Sequence, residues 1–518
     1  MSELLFKRAC LCLIAVMLLT VFGVSNTRAG FLFPPKESFE PGQWFLGATP
    51  PNYDSNKPPI VFVQGKNGAA NSWYGETAYH GMNDMYEKAY NAGYQTVFVQ
   101  LYDADGKGSH SQWDNGRLLA SMLAQINKHF GKKVNIVAHS KGGPDTQAAL
   151  VHYGAHSYVG RVITLASPHE GSNLADLAYS WYASWLGSLL GQKDDGTFSL
   201  QTGEMAKFRS MTDSNTLINK NQYYTLAGTN KGPAFTALAM GGAYLSSYGP
   251  NDGLVNEWST RLPYGTHLFT DSTLDHDNVR MGSKVFSRIE PYLRQATVSS
   301  NYQPLEQANV LETSPANGQQ IILGGPLQAN TLNEKFFSLN QKTNANFTVL
   351  TANKNAIVTM ISPTGKVIKS KQIVKEENSS FFKGAISHQF NIANATKGTW
   401  KINIKSNSTD AFLFVGSMEM PAPIQMVIPT KMKQKSDKIQ INKSKMEAAP
   451  NLTFKMRVVD QNGTLIYESR TMNEASFTGQ LPSVPVSDTY NMTIDIAGRD
   501  SKGNSINRTI VQSIFIEK

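Results

Sequence analysis

Cysteine is almost absent from this 518-residue chain: there are two, Cys10 and Cys12. Both fall in an amino-terminal stretch with Lys7 and Arg8, an apolar run from Ala9 to Val24, and a small-x-Ala site at Thr27-Arg28-Ala29 before Gly30. Such a stretch reads as a secretory signal peptide over residues 1–29, the alternative being an uncleaved anchor. The processed chain would then hold no cysteine, which excludes disulfides and thiolate metal sites. After Val24 no run is long and apolar enough to span a bilayer. Also missing is any dense, aromatic-laced basic patch. The net charge of +9 is spread along the chain, which speaks against nucleic acid and for an acidic surface or polymer.

The first half is rich in alternation. Ile60–Val63, Thr96–Val99, Val134–Val137, Val162–Leu165, Tyr223–Leu226 and His267–Thr270 are short β-rich runs, several continuously apolar as central parallel strands are. Helical patterns lie between them, as in Arg117–Phe130 with apolar residues at 118, 119, 122, 123 and 126. This predicts a mainly parallel sheet covered on both faces. After about Gln295 helical periodicity disappears. Alternating strands such as Gly398–Ile404, Leu452–Val459 and Tyr490–Ala497 follow, with turns at Pro363-Thr364-Gly365 and Gln461-Asn462-Gly463 and a joint at Pro421-Ala422-Pro423. The expected organisation is an α/β domain over 30–298, a β-sandwich over 299–420 and an immunoglobulin- or fibronectin-like β-sandwich over 421–518. Asn346, Asn394 and Asn491 begin Asn-x-Ser/Thr triplets, read as compositional accidents.

Val134-Asn135-Ile136-Val137-Ala138-His139-Ser140-Lys141-Gly142-Gly143 runs from a strand through a serine between small residues into a helix-compatible stretch. A reversal this tight needs nearly side-chain-free residues two before and two after the serine, here Ala138 and Gly142. Ser140 is therefore the candidate nucleophile. A serine hydroxyl needs a base, and the base needs a carboxylate to orient it. If both follow the serine in the order acid, then histidine, His276 is favoured, because it stands in the polar loop Asp271–Asn278 directly after a strand. His267 lies inside that strand, His388 falls in a β domain, and His152 and His156 follow the serine too closely. Asp252, in the turn Gly249-Pro250-Asn251-Asp252-Gly253, is the candidate acid; otherwise it only caps backbone amides. Two backbone N–H groups are needed for an oxyanion, one from Lys141 and one from Lys66 in the glycine-bearing loop Gln64–Gly68.

These motifs resemble the secreted bacterial triacylglycerol lipases. Ala138–Gly142 is similar to the Ala-first box of the Bacillus lipases; Ala166–Ser172 and Asn251–Val255 are similar to segments of the Pseudomonas and Burkholderia lipases. The resemblance covers about half the chain and implies an α/β-hydrolase fold, with the family's acid and base at Asp252 and His276. It implies a secreted serine ester hydrolase acting on lipid esters, without an organic cofactor. Two departures stand out: Gln64-Gly65 replaces the family's usual His-Gly, and Asn278 stands where the Pseudomonas-type calcium site has an aspartate. A calcium ion would then have to use Asp275 or Asp277. In the similar lipases the region matching 173–190 forms a lid; here apolar residues at 174, 177, 178, 181, 185 and 189 make one helical stripe, readable as lid or packed cap. Alternatives are a polyhydroxyalkanoate depolymerase and a cell-surface binding protein with an inactive hydrolase domain. The β-sandwiches are expected to give the triad no residue and to carry binding alone. Lys431, Lys433, Lys435, Lys438, Lys443 and Lys445 would suit an anionic polymer or form a solvated strand face.

Overall fold

A computed structural model describes residues 38–518 except 191–193, 299–317, 377–380, 422–424, 435–437, 443–450, 473–477, 481–482, 500–502 and 504. The signal-peptide stretch and the 421–423 joint, apart from Pro421, lie outside the described residues, as do Lys435, Lys443 and Lys445.

Seven strands build the first sheet: β1 (Trp44–Leu46), β2 (Ile60–Val63), β3 (Thr96–Val99), β4 (Val134–His139), β5 (Val159–Leu165), β6 (Gln222–Gly228) and β7 (Gly265–Asp271). Their order is β1-β3-β2-β4-β5-β6-β7, parallel throughout except for β1, which pairs antiparallel with β3. The six predicted runs are the six parallel strands. β1 is the addition, three residues too short to show a period. β2, β3 and β4 are buried along their whole length, because helices cover both sheet faces. One such helix, Gln112–Phe130, starts at the cap Ser111, whose hydroxyl accepts from Asp114 N–H, and buries Leu119, Met122, Leu123 and Ile126. This is the α/β-hydrolase fold.

The β half begins with β8 (Gly318–Leu327), β9 (Leu332–Leu339), β10 (Thr343–Thr351), β11 (Ile357–Ile361), β12 (Val367–Lys369), β13 (Gln372–Lys375), β14 (Ile386–Ala395), β15 (Gly398–Lys405) and β16 (Asp410–Pro421). A five-stranded sheet, β13-β14-β10-β16-β8, faces a four-stranded one, β12-β11-β15-β9. Phe337, Phe347, Trp400 and Phe414 interlock between them, with Phe337 and Phe414 ring centroids 5.0 Å apart. Beyond it a second five-stranded sheet is centred on Asp488–Arg499 and Ser505–Glu517, accompanied by three short strands.

The two halves share one apolar core. Leu174, Leu177, Leu186 and Tyr244 of the α/β half pack with Ile322, Phe381, Leu413 and Val511 of the β half. Polar ties flank this core: Asn491 Nδ2 donates to Asp176 O at 2.7 Å, and Tyr182 OH to Asp495 Oδ2 at 2.7 Å. Gly203 approaches so closely that a Cβ there would stand 2.6 Å from Ile514 N. Asn491 is buried in this seam. The single stripe expected over 173–190 is instead two short helices, Asn173–Ala178 and Ser184–Leu190. The break serves a tertiary contact, Tyr182 reaching Asp495, while Trp181 packs locally, edge-on, against Trp185 at 4.9 Å.

Candidate active site

Ser140 sits at the end of β4 with φ 53, a left-handed conformation that a non-glycine residue adopts at a cost. The turn is tight on every side. A Cβ on Gly142 would stand 2.5 Å from Gln64 O, and one on Gly65 would stand 2.8 Å from Ser140 Cβ. Both glycines are therefore demanded by close backbone approach, the first within the elbow and the second in the loop after β2. Gln64, in place of the histidine usual in the resembling lipases, spans the neighbouring chain, with its amide nitrogen 3.0 Å from Val99 O and its oxygen 2.9 Å from Leu101 N.

The sequence candidates converge. His276 Nε2 lies 2.9 Å from Ser140 Oγ, and His276 Nδ1 lies 2.7 Å from Asp252 Oδ2. Asp252 Oδ1 accepts from Leu254 N–H at 3.0 Å and Val255 N–H at 2.8 Å, so the carboxylate both caps its turn and meets the imidazole. A further bond, His276 N–H to Asp252 O at 2.9 Å, fixes the two loops together. In this arrangement the serine proton has an acceptor within reach and the imidazole has one orientation. His267 is elsewhere, in β7, held by Thr225 Oγ1 at 3.0 Å and Thr270 Oγ1 at 2.9 Å; burial and Arg261 push it down to about 4.

Lys66 lies on the cavity wall, and Lys141 is the residue from which the helix Gly142–Val151 starts, at its positive end. Their side chains are buried. Lys141 Nζ is 2.8 Å from Asp145 Oδ1, and Lys66 Nζ is 3.1 Å from Asp194 Oδ2. Burial lowers the Lys66 ammonium despite Asp194. Burial also opposes charge on Lys141, but Asp145 and Asp103 outweigh it and hold that ammonium above its usual range. Asp103 completes the group: Oδ1 accepts from Asn67 N–H at 3.2 Å, and Oδ2 from Asn115 Nδ2 at 2.6 Å. Asp194 caps the helix Asp195–Ser199 and accepts from Thr197 N–H at 2.6 Å. The loop carrying Lys66 is thereby tied to the chain just past the 173–190 region.

Several site residues escaped the sequence reading. His139 lies beside the relay, its Nε2 2.9 Å from His276 O, and burial and the neighbouring His276 hold its pKa well below the usual range. The cavity above Ser140, about 310 Å³, is walled by Leu200, Leu238, Leu254 and Val255 and also by Phe381 and Lys383 of the β half. Phe381-Phe382 follows β13 in sequence without any motif, so only the folded chain could reveal the contact. Ser140, Asp252 and His276 come from the α/β half, and the β half furnishes wall to the cavity.

Asp275 and Asp277, the carboxylates left for calcium, have other partners. Asp275 Oδ2 is 2.7 Å from His80 Nε2, and Asp277 Oδ1 accepts from Arg280 at 2.7 Å. Asn278 Oδ1 accepts from Asp275 N–H at 2.9 Å. These residues do not fit a calcium site, and among the described residues no group of three or more metal-ligating side chains comes together.

Among solved structures, Bacillus licheniformis lipase BlEst2 in its propeptide form is 33% identical, with 92% of this chain and 98% of that chain covered and a TM-score of 0.75. The chain belongs to this lipase family. The mature form of the same enzyme is 46% identical over 49% of this chain and 100% of that chain, with a TM-score of 0.45, and Aspergillus fumigatus lipase B is 15% identical over 43% and 48% with a TM-score of 0.27. No family model and no curated protein matches. The match to the propeptide form extends over both the α/β half and the β half of this chain.

Proposed function

We propose that this family member is a secreted carboxylic ester hydrolase that cleaves lipid esters through an acyl-enzyme on Ser140, and that its β half is a cap over the site. The relay Asp252–His276–Ser140 carries the first part. Ser140 Oγ attacks the ester carbonyl carbon while His276 Nε2 takes its proton, and Asp252 Oδ2 steadies the resulting imidazolium through Nδ1. The carbonyl oxygen, now an anion, receives the N–H groups of Lys66 and Lys141. Collapse expels the alcohol, which takes the proton from His276. Water then repeats the sequence on the acyl-enzyme and returns Ser140. No organic cofactor enters this scheme. The apolar wall of Leu200, Leu238, Leu254 and Val255 suits the acyl chain.

Phe381 and Lys383 on the cavity wall support the second part, together with the apolar core that the two halves share. The similar lipase is known in a propeptide form, and by that likeness the β half is proposed to be the propeptide of this chain. An adhesion protein with an idle hydrolase domain has no use for an intact relay.

The experiment is labelling with an alkyl phosphonate ester, read by mass spectrometry of the intact and digested protein. One adduct on the peptide holding Ser140, absent from Ser140→Ala, is expected. A folded wild-type chain that takes no label, with or without its β half, overturns the assignment.

A further inference from the structure

We infer that the outer face of the sheet β12-β11-β15-β9 is a docking surface for an anionic lipid membrane. Its inner face is filled by Phe337, Trp400, Ile402 and Met360, so the fold needs nothing apolar on the other side. Yet Leu332 is 54% exposed, Phe336 58%, Ile357 64% and Val367 59%. The register places them in two rows across one face. Leu332 and Ile357 flank Lys405, and Phe336 flanks Lys401, which is followed by Ile361 and then Val367. Strands spaced ~4.8 Å apart bring these side chains into contact range of each other.

The chemistry of the face selects its partner. Each lysine stands between apolar side chains, so its methylene stem can lie along them while the ammonium reaches outward. Glu334 opposes them and is engaged with Lys401 at 2.6 Å; Lys405 and Lys369 add positive charge to the same face. Apolar side chains that enter the headgroup layer, with ammonium groups at the height of the phosphates, match a bilayer bearing negative lipids. The face lies on the β half and holds no residue of the relay, so this docking stands or falls apart from the catalytic reading. It would keep the capped chain at a membrane surface.

The test is flotation of the full chain with vesicles of ether-linked phospholipids, which an esterase cannot cleave. One set is phosphatidylcholine alone; the other contains phosphatidylglycerol. Binding to the anionic vesicles is expected, falling at least about tenfold in the double variant Phe336→Ser, Ile357→Ser and similarly in Lys401→Glu, Lys405→Glu. All four positions are at the surface, so both variants should melt and hydrolyse a soluble ester as the wild type does. No binding by the folded wild type overturns the proposal. So do equal binding to neutral vesicles, undiminished binding by the variants, or a wild-type dimer that the first variant dissolves.

Discussion

At the active site of the α/β half backbone rules are broken, while the first β-sandwich keeps them. Ser140 holds φ 53, and Lys66 and Lys141 are buried with their counter-ions. In the first β-sandwich the inward residues of β11 and β15 alternate with outward ones, and the positive φ values of non-glycine residues fall on Asn330 and Asn394, a type that tolerates them. The strain at Ser140 thus falls where chemistry is proposed, while the β half also buries charge, at Glu376, Asp410 and Arg508, away from that site. The functional marks of the β half are of another kind: apolar side chains in places the fold does not require.

The largest effects are expected at the relay. Ser140→Ala should lower kcat/KM on a short-chain ester by roughly 10⁴ to 10⁶, and His276→Ala should match it, since such residues act as a unit. His267→Ala should stay within a few-fold of wild type, because its partners are Thr225 and Thr270 of the sheet. Steady-state kinetics on purified, folded variants reads both; the reverse ranking would move the base.

A smaller effect is expected at the buried ion pairs. Asp194→Asn keeps the shape of the cap but removes the charge facing Lys66, and kcat should fall by about 10- to 100-fold with KM nearly unchanged, as for a loss felt in the transition state. Asp194→Glu should recover part of it. An equal loss in KM would mean that Asp194 shapes the substrate site and not the oxyanion loop.

The smallest effect concerns the seam. Glu376, which directly follows β13, is buried, and burial pushes its carboxyl up to about 7. The folded state therefore holds the proton that the unfolded chain releases near its ordinary value. Its contribution is present below that value and lost as pH rises through about 7. Tm should decline over this window in the wild type and less in Glu376→Gln, as calorimetry would read; parallel curves would count against it.

Much of this was legible beforehand, for physical reasons. The elbow announces itself because its crowding forbids side chains at 138 and 142, and chain order selected Asp252 and His276 from many carboxylates and histidines. Parallel strands were visible as continuous apolar runs. What stayed hidden depends on contacts between distant segments: the break at Tyr179–Ala183, the meeting of Asp103 with Asn67 and Asn115, and the arrival of Phe381 and Lys383 at the cavity. Gly203 had no reason to be noticed until Ile514 stood against it.

On the reading proposed above, the α/β half is a complete catalyst and the β half its cover. The decisive experiment cuts the purified full chain between residues 299 and 317, through an engineered protease site, and follows turnover of a soluble short-chain ester as the halves separate. kcat/KM should rise on separation and fall again when the β half is added back in excess. A well-folded α/β half that loses activity on separation, or whose turnover never responds to the β half, would contradict that reading.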